Sequence, residues 1–105
     1  MADGRYSVMR SDEADARLKE LLLDYASTVS TRTALKLARE FERGFSRLSH
    51  FPYSGRLTDA CQLKARGYRK LVIGKYLVVY LVFEELRQVI VTGIYNQREN
   101  LEGLV

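Results

Sequence analysis

Six of the residues best suited to bind a charged partner fall in one short stretch of the chain. Residues 56–75 contain one acidic residue, Asp59, and six cations. The cations are Arg56, Lys64, Arg66, Arg69, Lys70 and Lys75. The segments on either side are close to balanced in charge. Such a cluster favours an acidic partner, either a nucleic acid or an acidic protein surface, although a basic loop that contacts only water has the same composition.

Three arginines are candidates for binding phosphate or carboxylate, because a guanidinium group offers a planar fork of donors. They are Arg56, Arg69 and Arg98, and a purely solvated role stays open for each. Cys61 is the only cysteine and His50 the only histidine. An internal disulfide and a Cys- or His-rich metal centre are therefore excluded, and we expect neither a metal nor a cofactor. We interpret His50 as a helix-terminal or surface residue without a catalytic role.

Two amphipathic helices are predicted to precede these cations. The first should run from about Asp12 to Ser27, with Ser11 or Asp12 as its N-cap. Its apolar residues recur at helical spacing at Ala14, Leu18, Leu21, Leu22 and Tyr25. The pattern resumes in a second helix at Ala34, Leu37, Ala38, Phe41, Phe45 and Leu48. Pro52 cannot continue that helix, so an ordered turn should follow it.

Strands are predicted at both ends of this helical pair. A short strand from Tyr6 to Arg10 comes first, and runs rich in Val, Ile, Leu and Tyr follow at residues 68–73, 76–83 and 88–95. The polar stretch 58–67 is given no element. The order βααβββ indicates an α+β fold, in which an N-terminal helical hairpin packs on a small, mainly antiparallel sheet. Residues 76–83 are apolar on both faces, which predicts a central strand covered on both sides.

Length and composition indicate one folded unit. A chain of 105 residues, 47% hydrophobic and 29% charged, has material for one core, so we predict a single domain over residues 1–105. The first residues lack the apolar segment of a secretion signal, and no stretch approaches the ~20 apolar residues of a membrane span. We therefore expect a cytoplasmic protein without membrane contact.

Four short motifs follow one another along nearly the whole chain. They are Tyr6-Ser-Val with Ser11-x-x-Ala14, then Leu48-x-x-Phe51-Pro52-x-x-Gly55-Arg56, then Gly67-Tyr68-Arg69 with Tyr76-x-x-x-Tyr80, and finally Ile94-Tyr95-x-x-Arg98-x-x-Leu101. In order and spacing they resemble the RelE/ParE superfamily of toxins from type II toxin–antitoxin systems. The resemblance implies a RelE/ParE-like fold, growth arrest by the free toxin, and a hetero-oligomer with a cognate antitoxin. For five of these residues we favour structural roles, in which Pro52 and Gly55 shape a turn and the rings of Tyr68, Tyr76 and Tyr80 pack while their hydroxyls reach water.

One branch of the superfamily implies an enzyme. A RelE-like protein would be a ribosome-dependent endoribonuclease acting on mRNA, with Arg69 and Arg98 on phosphate and Tyr95 as an acid. Lys70 or Lys75 would then contact the RNA backbone. However, Leu77 stands where ribonuclease members tend to place an arginine, and Asn96 where several place a histidine. Neither side chain can replace those groups, so the catalytic set is incomplete.

The other branch implies a binding protein. A ParE-like toxin inhibits DNA gyrase and needs no acid–base residues of its own, which agrees with the incomplete set. The ending from Tyr95 to Leu101 is also similar to that of ParE-type toxins, so we favour this prediction. Its target-binding or nucleic-acid-binding candidates are Arg56, Lys64, Arg66, Lys70 and Lys75. A third interpretation is a non-toxic nucleic-acid-binding module that uses the same cations.

Overall fold

In a computed structural model, the chain forms two long helices, one short helix and a five-stranded sheet. The structure describes residues 5–58 and 61–97. The elements are β1 (Ser7–Arg10), α1 (Asp12–Thr28), α2 (Thr31–His50), β2 (Arg56–Leu57), α3 (Cys61–Ala65), β3 (Arg69–Ile73), β4 (Tyr76–Phe83) and β5 (Gln88–Asn96). The predicted α+β fold is confirmed. The two short elements β2 and α3 were not predicted.

Serine side chains fix the start of both long helices. The Ser11 Oγ accepts a hydrogen bond from the Ala14 amide at 3.1 Å, and the Ser30 Oγ accepts one from the Thr33 amide at 3.0 Å. Each bond satisfies an amide that has no partner inside the first turn of its helix. Of the two predicted caps for α1, Ser11 is the one used. No helix in the described part of the chain is both long and apolar enough to cross a membrane.

The sheet has the strand order β1-β5-β4-β3-β2. Strand β1 is parallel to β5, and the other neighbouring strands are antiparallel. Short turns join β3 to β4 and β4 to β5, whereas the helical hairpin carries the chain from β1 to the other edge of the sheet. The long apolar strand β4 lies between β3 and β5, as the sequence predicts.

The main core lies between the helices and one face of the sheet. Phe41 and Leu48 of α2 are 1% and 0% exposed, and both belong to the cluster that includes Tyr80 of β4. Burying each such large apolar side chain contributes about 2 kcal/mol. A Cβ at Gly44 would meet the Cδ1 atom of Ile73, so glycine allows α2 to approach β3 closely at this point.

The two short elements complete the sheet edge opposite β1. The Thr58 amide donates to the Tyr68 carbonyl at 3.1 Å, which extends the pairing of β2 with β3 by one residue. Helix α3 ends at Ala65, and Gly67 follows with a φ of 84°, in the left-handed region that favours glycine after a helix. The Gly67 amide donates to the Lys64 carbonyl at 3.0 Å. These contacts give structure to a stretch in which the sequence predicts none.

Candidate target-binding face

The face of the sheet turned away from α1 and α2 is called the open face below. Side chains alternate along β4, so Tyr80 points to the helices whereas Leu77 and Val79 point to the open face. Leu77 is 8% and Val79 3% exposed, because Leu63 of α3, with Tyr68 and Tyr95, packs over them. The second cover predicted for the central strand is thus partly supplied by the chain itself.

A β-bulge directs Tyr95 to the open face. Val79 pairs with Gly93, whereas the next residue, Tyr80, pairs with Val91, so Thr92 is the extra residue on β5. The Thr92 hydroxyl donates to the Val79 carbonyl at 3.3 Å. A Cβ at Gly93 would lie 2.6 Å from the Tyr95 ring, so the glycine gives that ring room to lie along the strand. Without the bulge, Tyr95 would point to the helical side.

Two of the predicted cations form a cross-strand pair. Arg56 of β2 is directly opposite Lys70 of β3, and both point to the open face in the same row as Val79. The Arg56 side chain is exposed, and Lys70 is half-buried. Like charges directly opposite each other on neighbouring strands are unfavourable, and an anion between them would offset that repulsion. This pair is therefore suited to a phosphate or carboxylate.

The remaining basic candidates separate into two places. Lys64 lies on α3 and Arg66 in the turn after it, and both are exposed beside the open face. Lys75 lies at the other end of β3, where its Nζ atom is 5.3 Å from the centre of the Tyr25 ring and 5.7 Å from that of Tyr76. The cations of segment 56–75 are close in sequence, but they do not form one continuous charged surface.

Arg69 lies on the helical side of the sheet. It pairs with Tyr80, and its Nη1 atom donates to the Gly55 carbonyl at 2.8 Å. The guanidinium carbon is 5.0 Å from the centre of the Tyr53 ring, within range of a cation–π contact. Arg69 therefore holds the turn between α2 and β2.

The buried hydroxyl of Tyr80 also holds the turn between α2 and β2. It donates to the Pro52 carbonyl at 2.8 Å and accepts from the Gly55 amide at 2.9 Å. The structural role predicted for Tyr80 had its hydroxyl reach water, but Tyr80 is fully buried and both bonds lie within the chain. Burial raises the pKa of the Tyr80 phenol, although the bond from the Gly55 amide opposes the shift. The Pro52 and Gly55 motif thus has a structural role here.

The structure does not bring together Arg69 and Tyr95, two of the three residues considered for catalysis. Arg69 is on the helical side, Tyr95 is on the open face opposite Leu77, and Arg98 lies outside the described residues. Among the described residues, no group of three His, Cys, Asp or Glu side chains could hold a metal ion. The described open face is suited to binding an anion beside an apolar surface.

One polar cluster was missed by sequence reasoning. Glu84, in the β4–β5 turn, accepts hydrogen bonds from the Tyr6 hydroxyl at 2.5 Å and the Tyr53 hydroxyl at 2.7 Å. These bonds hold the pKa of Glu84 below its usual range, and the bond to Glu84 raises the pKa of Tyr53 to about 12. Arg87 donates to the Tyr6 hydroxyl at 3.2 Å. The partners are 78 and 31 residues apart, so no local pattern could predict them.

Comparisons with known proteins agree with this architecture. The fold matches a chain of the chromosomal ParDE toxin–antitoxin system of P. aeruginosa with a TM-score of 0.72 and 16% identity, covering 90% of this chain and 98% of that one. It matches a chain of the RelBE2 toxin–antitoxin complex of Mycobacterium tuberculosis with a TM-score of 0.65 and 19% identity, covering 93% and 98%. No protein with a curated functional description matches the sequence. The model of the ParE toxin family matches residues 8–101, and the chain therefore belongs to the ParE toxins of type II toxin–antitoxin systems.

Proposed function

We propose that this protein arrests growth by binding DNA gyrase, without catalysing a reaction, and that a cognate antitoxin neutralises it. The observation that carries the proposal is the separation of Arg69 from Tyr95 by the thickness of the sheet. A ribonuclease needs its phosphate-binding and proton-transferring groups around one scissile bond. A binding protein has no such requirement, and the match to the ParE toxin family supports the same choice.

The open face is the surface we assign to the target. It combines the Arg56–Lys70 pair with a partly exposed apolar surface on which Met9 is 50%, Val72 56% and Phe83 40% exposed. Exposed apolar side chains beside positive charge are typical of a protein-binding surface. Lys64 and Arg66 extend the positive charge along one side.

A ribosome-dependent endoribonuclease is the second candidate, and one observation favours it. Tyr95 is on the same face of the sheet as Arg56 and Lys70, so a phenol and two cations are available to one RNA strand. Under this candidate Tyr95 would protonate the leaving oxygen, and the cations would bind phosphate. Leu77, opposite Tyr95, supplies no further polar group.

The experiment that separates the two is induction of the full chain alone in a bacterial host, with mRNA 5′ ends mapped and a DNA-damage reporter read in parallel. We expect growth arrest, an active damage response and intact mRNA. Purified protein should then block supercoiling by purified gyrase. New 5′ ends phased to codons would contradict the proposal, and normal growth with folded protein present would contradict both candidates.

A single substitution sharpens this test. Tyr95→Phe removes the phenol assigned to proton transfer in the ribonuclease candidate while keeping the ring that packs on Leu77 and Val79. A gyrase inhibitor should keep its growth arrest, whereas a ribonuclease that uses this hydroxyl should lose about 100-fold in cleavage rate. Circular dichroism of the variant checks that the fold is unchanged.

A further inference from the structure

A cavity of about 210 Å³ lies between the helical hairpin and the turn that joins β3 to β4. Residues of α1, α2 and the start of β4 line it together with that turn. The cavity is on the helical side of the sheet, so it is separate from the open face. Its volume is below the ~300–1,000 Å³ typical of sites for drug-sized ligands, so it is suited to a smaller molecule.

One wall of the cavity is a face of α2. The lining residues Thr33, Lys36, Leu37 and Glu40 have the spacing that places side chains on one side of a helix. Lys36 and Glu40 are one turn apart and opposite in charge, yet neither forms an ion pair or side-chain hydrogen bond with any described residue. Both charges are therefore available to a ligand that lies between them.

The opposite wall combines a cation with aromatic rings. The Lys75 Nζ atom is 5.3 Å from the centre of the Tyr25 ring and 5.7 Å from that of Tyr76, within range of cation–π contacts. The Lys75 ammonium group, and to a smaller extent the Tyr76 hydroxyl, hold the pKa of the Tyr25 phenol below its usual value. These contacts position the ammonium group at the cavity, and the rings give the cavity an apolar surface.

The polar groups of the cavity fall into two kinds. Lys36 and Lys75 carry ammonium groups that can donate to an anion. Thr33 adds a hydroxyl, whose oxygen accepts a hydrogen bond from Ser30 at 2.8 Å and whose own proton is available to an acceptor. Glu40, in contrast, can only accept, and its carboxylate would be 3.6 Å from a Cβ at Gly74 in the turn.

We propose that this cavity binds a free α-amino acid with an apolar side chain. Lys36 and Lys75 bind its carboxylate, Glu40 binds its ammonium group, and its side chain packs on Leu37 and the Tyr25 ring. A ligand with a carboxylate alone would bring a like charge close to Glu40, and an amine alone would face two ammonium groups. The charges therefore favour a zwitterion over either. This inference does not depend on the proposed function.

The test is a nuclear magnetic resonance titration of the isotope-labelled full chain with L-leucine. Saturable shifts are expected at the backbone amides of Lys36, Gly74 and Lys75, with a Kd of about 1 mM, because a cavity of this size offers few contacts. Isocaproate, which lacks the amino group, and isoamylamine, which lacks the carboxylate, should each bind at least about tenfold more weakly. Isocaproate that binds as tightly as L-leucine would overturn the inference, because the cavity would then be a simple anion site. The absence of saturable shifts up to about ten times that Kd would overturn it as well.

Two double variants test the charges without altering the net charge of the protein. Lys36→Gln with Glu40→Gln removes one charge of each sign from the cavity and should weaken L-leucine binding about tenfold. The matched control is Arg39→Gln with Glu42→Gln, which removes one charge of each sign from exposed positions of α2 outside the cavity. It should change the affinity by less than about twofold. Equal losses in the two variants, with thermal melting showing that both are folded, would contradict the assignment of Lys36 and Glu40.

Discussion

The two faces of the sheet use similar residues in different ways. On the helical side, Arg69 and Tyr80 direct their polar atoms at the backbone of the turn around Gly55, and Tyr80 is fully buried. On the open face, Arg56 and Lys70 are opposite each other in a like-charge pair. Arg69 and Lys70 are neighbours in the sequence, yet alternation along the strand places them on opposite faces. The alternation of side chains along β3 therefore separates a cation that stabilises the fold from a cation that is available to a partner.

The two faces also differ in the effect expected from substitution. In the turn around Gly55, the Pro52 carbonyl and both backbone groups of Gly55 are paired within the chain, so substitutions there should act through folding. Arg56, in contrast, is exposed on the open face, so its substitution should act through binding and leave folding nearly unchanged. The predictions below test this division.

The largest effect is expected for Gly55→Ala on the helical side. A Cβ at this position would lie 2.5 Å from both the Lys70 carbonyl oxygen and the Tyr80 hydroxyl. The Lys70 carbonyl belongs to the backbone of β3 and cannot move away without disturbing its pairing with β4. We expect the free energy of unfolding to fall by about 3 kcal/mol, measured by urea denaturation.

The matched control is Gly67→Ala, because nothing lies within 4 Å of a Cβ at that position. Its effect should come only from the positive φ of 84° and amount to about 1 kcal/mol. Equal losses in the two variants would mean that the close approach at Gly55 is not what limits substitution there.

The second prediction concerns the cations of the two faces. Arg56→Ala should weaken inhibition of gyrase about tenfold while changing the stability by no more than about 0.5 kcal/mol. Arg69→Ala should instead lower the stability by about 1.5 kcal/mol, because it loses the bond to Gly55 and the contact with Tyr53. Supercoiling assays and urea denaturation measure the two quantities. A large loss of inhibition by Arg69→Ala without a loss of stability would contradict the assignment of the faces.

Much of the fold follows from local patterns in the sequence. The helical stripes, the Ser11 cap and the three long strands depend on residues close together in the chain, and the structure agrees with each of them to within about two residues. Short β2 and α3 lack a periodic signal, since two and five residues are too few for one. Their structure comes from contacts with β3 and with Leu77, which are visible only after folding.

The site was less predictable for a related reason. Grouping Arg69 with Tyr95 required knowing the face on which each side chain lies. The bulge at Thr92 decides this for Tyr95, and alternation from the buried Leu71 decides it for Arg69. The run Leu71-Val72-Ile73 is apolar throughout, so the sequence alone shows no alternation that would assign Arg69 to a face.

The smallest effect is expected at Glu84, whose tyrosine partners tie the β4–β5 turn to the start of β1 and to the turn after α2. The pKa of Glu84 is lowered in the folded state from its ordinary value of 4.5. Its contribution to stability is therefore full above about pH 4.5 and is lost as the pH falls through the folded pKa. Between pH 6 and pH 3, the melting temperature of Glu84→Gln should fall less than that of the wild type. The neighbouring variant Glu85→Gln should follow the wild type, because Glu84, not Glu85, accepts the two tyrosine bonds.

The pKa of Tyr53 supplies an independent readout, since the Glu84→Gln change should lower it from about 12 toward 10.0 in an ultraviolet titration. An unchanged Tyr53 titration would show that this bond is not formed in solution.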